Sequence, residues 1–130
     1  DMTTFKPGAR ALADRLRPQD AMLVICFCAA WCDTCKQYEP KIDSLSSRHP
    51  DISFVWVDIE DYPDLVGDED IENFPTILIQ QGDTVRFLGT VLPHAEHLDR
   101  LIEAMQSPGK PQQTALPDVR GLLREMAQTD

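Results

Sequence analysis

Two continuous apolar runs with one helical segment between them constrain this chain most. Residues 22–28 read Met-Leu-Val-Ile-Cys-Phe-Cys, and residues 52–59 read Ile-Ser-Phe-Val-Trp-Val-Asp-Ile. Runs of this kind fit strands that are covered on both faces. Residues 32–48 between them read as a helix, with Pro40 inside it as a kinking residue that removes a donor and crowds the preceding turn. Strand, helix and strand in that order close as a right-handed parallel crossover.

The other segments fit around this unit. Residues 8–17 place Ala9, Leu12, Ala13 and Leu16 on one helical stripe, and Pro18 stops it. A short helix is expected over residues 65–71. Residues 76–80 and 84–88 read as strands joined by a Gln81-Gly82-Asp83 hairpin turn, with Gly89 ending the second. Residues 94–106 carry Leu98, Leu101, Ile102 and Met105 on one helical face. The expected fold is α/β, a mixed central β-sheet sandwiched by helices. At 130 residues the chain has room for one domain.

That domain should span residues 1–106. Residues 107–117 hold three prolines and a glycine, and read as an extended linker. Residues 118–130 form an extra C-terminal amphipathic helix or tail, with Val119, Leu122, Leu123 and Met126 at helical spacing and Asp118 as the N-cap. So short a helix is unstable alone in water. It must dock on its own domain, self-associate with a second copy through residues 118–128, or fray.

Charge excludes some partners. The net charge is −10, and eight of the 22 acids fall within positions 58–72. A phosphate backbone would be repelled, so nucleic acid is not an expected partner. The acidic segment reads as a solvated loop, or as a rim favouring basic partners. No apolar run approaches the roughly 20 residues of a membrane helix. Residues 1–7 lack the apolar stretch of a secretory leader. The expected compartment is the cytoplasm, or the periplasm or exterior after removal of a leader.

All four cysteines lie within ten residues: Cys26, Cys28, Cys32 and Cys35. A structural disulfide framework would spread them to close long loops. Cys26 and Cys28 sit in the first apolar run and read as small buried hydrophobes. Trp31-Cys32-Asp33-Thr34-Cys35-Lys36 is the chemically informative segment. A four-thiolate zinc site usually draws on two such pairs at separate places, and His49, His94 and His97 are scattered, so no metal or other cofactor is expected. The pair instead follows a buried strand and opens a helix, where unpaired N–H groups and the dipole favour a thiolate. Cys32 would be the exposed nucleophile and Cys35, one turn on, the shielded resolving thiol.

A second signal is Asn73-Phe74-Pro75-Thr76, a proline at a strand start. Trp31 to Lys36, Pro40, Pro75-Thr76 and Gly89 together resemble the thioredoxin family, over roughly residues 5–106. The resemblance implies a cis Pro75 lying against the disulfide. It also implies a shallow substrate groove lined by Trp31, Phe74, Thr76 and Gly89. The chain departs from the family in two places. Asp33-Thr34 stands between the cysteines where Gly-Pro is usual, and a carboxylate there should oppose a thiolate. Cys26 stands where the family has a buried aspartate, and Trp56 where it has that aspartate's lysine partner. Cys26, Cys28 and Trp56 are thus possible modulators, and the two thiols could draw Cys35 into a different disulfide.

The implied activity is reduction of protein disulfides, with disulfide-containing proteins as substrates and an upstream redox protein as reductant. Alternatives are a binding or assembly module with weak redox activity, or an oxidase or isomerase in an oxidising compartment.

Overall fold

The computed structural model describes residues 4–127. The leading residues 1–3 and the end of the expected tail, 128–130, lie outside the described residues. In chain order the elements are α1 (Arg10–Arg15), β1 (Met22–Cys28), α2 (Asp33–Ser46), β2 (Ile52–Asp58), a 3-10 turn (Pro63–Leu65), β3 (Thr76–Gln81), β4 (Thr84–Thr90), α3 (Ala95–Met105) and α4 (Val119–Ala127).

The sheet order is β2-β1-β3-β4, with β1 parallel to β2 and antiparallel to β3, and β4 antiparallel to β3. The parallel crossover and the hairpin are thus as expected. β1 is central, and its period-two alternation divides the core. Val24, Cys26 and Cys28 face Tyr38, Ile42 and Leu45 of α2 and Leu98 and Ile102 of α3. Leu23, Ile25 and Phe27 face Leu12, Leu16, Val119 and Leu123 of α1 and α4. Before α1, Phe5 adds a parallel bridge to Val55, with its N–H donating to Phe54 O at 2.8 Å.

Two local expectations change. The short helix is the 3-10 turn at Pro63–Leu65, started by Pro63 and closed near Gly67 with φ 58°, and the acidic segment beyond it carries no regular helix. β4 runs through Gly89 to Thr90, because Gly89 pairs with Ile77 in the β3 register.

The tail docks on its own domain. Residues 107–117 lie along β4: the Gln112 N–H donates to Val85 O at 2.9 Å. The Gln112 side-chain amide completes a peptide-like pair, accepting from Leu88 N at 3.0 Å and donating to Leu88 O at 3.0 Å. This covers backbone that β4, as the last strand of the sheet, would otherwise expose. Asp118 caps α4 as expected, its Oδ1 accepting from Gly121 N at 3.1 Å. Val119 and Leu123 are fully buried against α1, so the face that self-association would use is occupied within the chain. Burying two such side chains contributes roughly 3–6 kcal/mol as an upper estimate.

Arg120 fastens the helix. Its guanidinium donates to Leu16 O at 2.7 Å, Arg17 O at 2.9 Å and Pro18 O at 3.1 Å, and meets Asp83 at 3.1 Å. These carbonyls follow α1, where backbone acceptors lack helical partners.

Candidate active site

The site forms where β1 passes into α2. β1 ends at Cys28, a short loop follows, and Cys32 is the N-cap of α2 with extended backbone. The Cys32 N–H donates to Ala29 O at 3.0 Å, and Cys32 O accepts from Lys36 N at 3.2 Å. Cys32 is half-buried with a free thiol. Asp33 and Thr34 are exposed in the first turn, and Cys35 points into the core.

The bridge differs from the expected one. A disulfide joins Cys28 and Cys35, with Cα atoms 5.9 Å apart, and Cys32 is unpaired. That separation falls within the ordinary disulfide span of about 4.4–6.8 Å. Helical spacing brings Cys35 beneath Cys32. The alternation of β1 independently turns Cys28 toward the same side of the sheet, and it is this second relation that places a partner below Cys35. Cys26, two residues back on the same face, has its sulfur 3.5 Å from that of Cys28. Burial pushes the Cys26 thiol well above its ordinary range, with the charges of Glu39 and Cys32 adding to the rise. Cys26 is therefore held protonated.

Cys26 and Trp56 are register partners across β1 and β2. Trp56 is half-buried, and Lys6 lies 5.6 Å from its ring centre while pairing with Glu39 at 2.6 Å. The Lys6–Glu39 pair has no local signature, because Lys6 comes beside Trp56 only when the leading segment adds to the β2 edge. Tyr38, fully buried in the same cluster, has its hydroxyl without a hydrogen-bond partner. Burial raises its pKa well above the ordinary tyrosine value, with Cys26 adding to the rise.

The expected groove residues fall into two groups, Trp31 with Phe74 near the cysteines and Thr76 with Gly89 in a separate cleft. Trp31 is 65% exposed and stands edge-on to Phe74, ring centres 5.7 Å apart. The Phe74–Pro75 peptide bond is cis. Phe74 and Cys32 both pack on the cluster that holds Cys28 and Cys35. Thr76 donates to Asn73 O at 2.5 Å and stands opposite Thr90 on β4. Thr76 and Gly89 line a neighbouring cleft of about 230 Å³ with the acidic segment, and Gln112 to Thr114 close its far wall. The tail's part in that wall has no signature in the sequence, since it depends on the strap along β4.

Among the described residues no group of three or more His, Cys, Asp or Glu is placed to hold a metal, and no helix is long and apolar enough to cross a membrane.

The mixed four-stranded sheet and its flanking helices are those of the thioredoxin-fold class. A family profile described as thioredoxin matches residues 8–106, and the chain belongs to the thioredoxin family. Thioredoxin H2 of Arabidopsis thaliana is 28% identical over 78 residues, 58% of this chain and 59% of that protein. Thioredoxin-1 of Saccharomyces cerevisiae is 30% identical over 78 residues, 60% of this chain and 74% of that one. The crystal structure of oxidised mitochondrial thioredoxin 3 from Saccharomyces cerevisiae superposes with a TM-score of 0.63 at 24% identity, covering 78% of this chain and 94% of that one. The matched region is thus a little under three-fifths of the first of these relatives. The tail from residue 107 lies outside the family match.

Proposed function

We propose that this chain is a thiol–disulfide oxidoreductase that reduces disulfides in protein substrates. The reading is carried by Cys32, a half-buried free thiol at the N-cap of α2 that packs on the same cluster as Cys35 and Phe74.

Cys32 thiolate attacks one sulfur of a substrate disulfide, forming a mixed disulfide and releasing the other substrate sulfur as a thiolate. Cys35 thiolate then attacks Cys32 Sγ. That bond forms as the mixed disulfide breaks, and the second substrate sulfur leaves reduced. Two electrons pass to the substrate, and an upstream dithiol protein returns them. Trp31 and Phe74 supply an apolar surface for the substrate chain, and Thr76 and Gly89 extend it toward the acidic cleft. Nothing in these steps calls for a cofactor. A reductase of this kind works in a reducing compartment such as the cytoplasm.

The test is reduction of insulin disulfides with dithiothreitol as electron donor. Cys32→Ser is expected to remove the protein-dependent rate, and Cys35→Ser to accumulate mixed disulfides. Activity surviving in Cys32→Ser overturns the assignment.

A further inference from the structure

We propose that Cys28 is a third member of the redox site, which takes Cys35 from Cys32 and moves the oxidised pair into the core. The inference rests on the reductase reading and adds one exchange to it.

Cys28 and Cys35 are each 1% exposed and are joined in the structure, while Cys32 alone of the three reaches solvent. Cys32 packs against the cluster containing both. Cys35 therefore has two possible partners, one above it at the surface and one beneath it at the end of β1. Exchange between them needs no external oxidant. Cys28 loses its proton and attacks Cys35 Sγ, the Cys28–Cys35 bond forms, the Cys32–Cys35 bond breaks, and Cys32 leaves as a thiolate that takes up a proton. One disulfide is present before and after, so no electrons are gained or lost. The oxidising equivalent comes from the substrate disulfide already reduced.

The exchange stops at Cys28. Cys26 is next along the strand, its sulfur 3.5 Å from that of Cys28 and not bonded to it. Cys26 and Cys28 also sit two apart on one strand face, a poor geometry for a mutual disulfide.

Two consequences follow. External thiols cannot approach the buried Cys28–Cys35 bond, so its reduction runs backward through Cys32. While that bond exists, Cys32 can capture a second substrate but has no Cys35 thiolate to release it. The chain then holds its substrate as a mixed disulfide, and turnover pauses until a reductant reaches Cys32. Cys28 thus acts as a brake that engages when oxidised substrate outruns reductant.

The experiment oxidises the full chain with one equivalent of hydroxyethyl disulfide, quenches in acid, alkylates under denaturing conditions, and maps all four cysteines by mass spectrometry. Insulin reduction is measured on the same samples. The expected wild-type product is a Cys28–Cys35 disulfide with Cys32 alkylated near stoichiometry. In Cys28→Ala, and in Cys28→Val as a second packing choice, the disulfide moves to Cys32–Cys35 and Cys32 alkylation nearly disappears. Cys26→Ala leaves the wild-type map in place. A wild-type map showing only Cys32–Cys35, from a chain that reduces insulin, overturns the Cys28 proposal and leaves the reductase reading standing. A Cys28–Cys35 map from a chain inactive on insulin in every variant supports the pairing and removes the reductase reading.

Discussion

Replacing Arg120 by Ala tests whether the tail is held by one side chain. Arg120 is 8% exposed, and its guanidinium donates to three carbonyls just after α1. Truncation leaves those acceptors without their donor in a partly closed space. A charged hydrogen bond contributes about 1.5–3 kcal/mol, and shared bonds do not add in full, so the expected loss is about 3 kcal/mol. The ion pair with Asp83 is a lesser part, because the Asp83 side chain is 74% exposed and such pairs contribute at most about 1 kcal/mol. Unfolding entropy of about 2.1 cal/mol/K per residue over 130 residues converts ~3 kcal/mol into a Tm drop of about 11 °C. Thermal unfolding followed by circular dichroism reads this directly. Asp83→Ala should lower Tm by under about 4 °C, and Arg120→Lys, which keeps the charge without the fork, should fall with Arg120→Ala. An Arg120→Ala shift below about 3 °C would refute the view that the carbonyl fork carries the docking.

Two other perturbations test separate parts of the fold. Gly82 has φ 56°, and a Cβ there would come within 2.0 Å of Gln19 O, so Gly82→Ala should cost more than the roughly 1–2 kcal/mol of a left-handed alanine, seen as a lower urea midpoint; a loss below about 1 kcal/mol would show that the turn relaxes freely. Burial raises Cys26 in the folded chain above its unfolded value, so the unfolded state deprotonates first as pH rises past about 8.5 and stability falls by up to about 1.4 kcal/mol per pH unit. That contribution is fully present below this pH, and Cys26→Ala should flatten the stability profile between about pH 9 and 11; an unchanged slope would place the effect elsewhere.

Local pattern was enough for the strands, the crossover helix and the hairpin, because each signal lies within one element. Apolar continuity marks β1 and β2, helical stripes mark α1 and α3, and Gln81-Gly82-Asp83 marks the turn. The site was legible to the same depth. Cys32 at the start of α2, Cys35 one turn on, and Pro75 at the start of β3 are all short-range relations. Trp31 and Phe74, which the resemblance puts in one groove, stand with ring centres 5.7 Å apart.

The cysteine pairing shows where that legibility stops. Helical spacing alone joins Cys32 to Cys35. Strand alternation alone says that Cys26 and Cys28 share a face, without saying which helix covers it. Only the packing of α2 on that face of β1 puts Cys28 beneath Cys35. The tail is similar: its apolar stripe and Asp118 cap are written in residues 118–127, but docking in the chain, docking on a second copy and fraying are all compatible with them. Arg120 meets Leu16 across more than 100 residues of chain, and Gln112 meets Leu88 across 24. Sequence by itself determined the periodicities and the reactive residue types, since those depend on near neighbours. Tertiary structure decided which sulfur faces which and where the tail lies, because both depend on groups that only the closed fold brings within bonding distance.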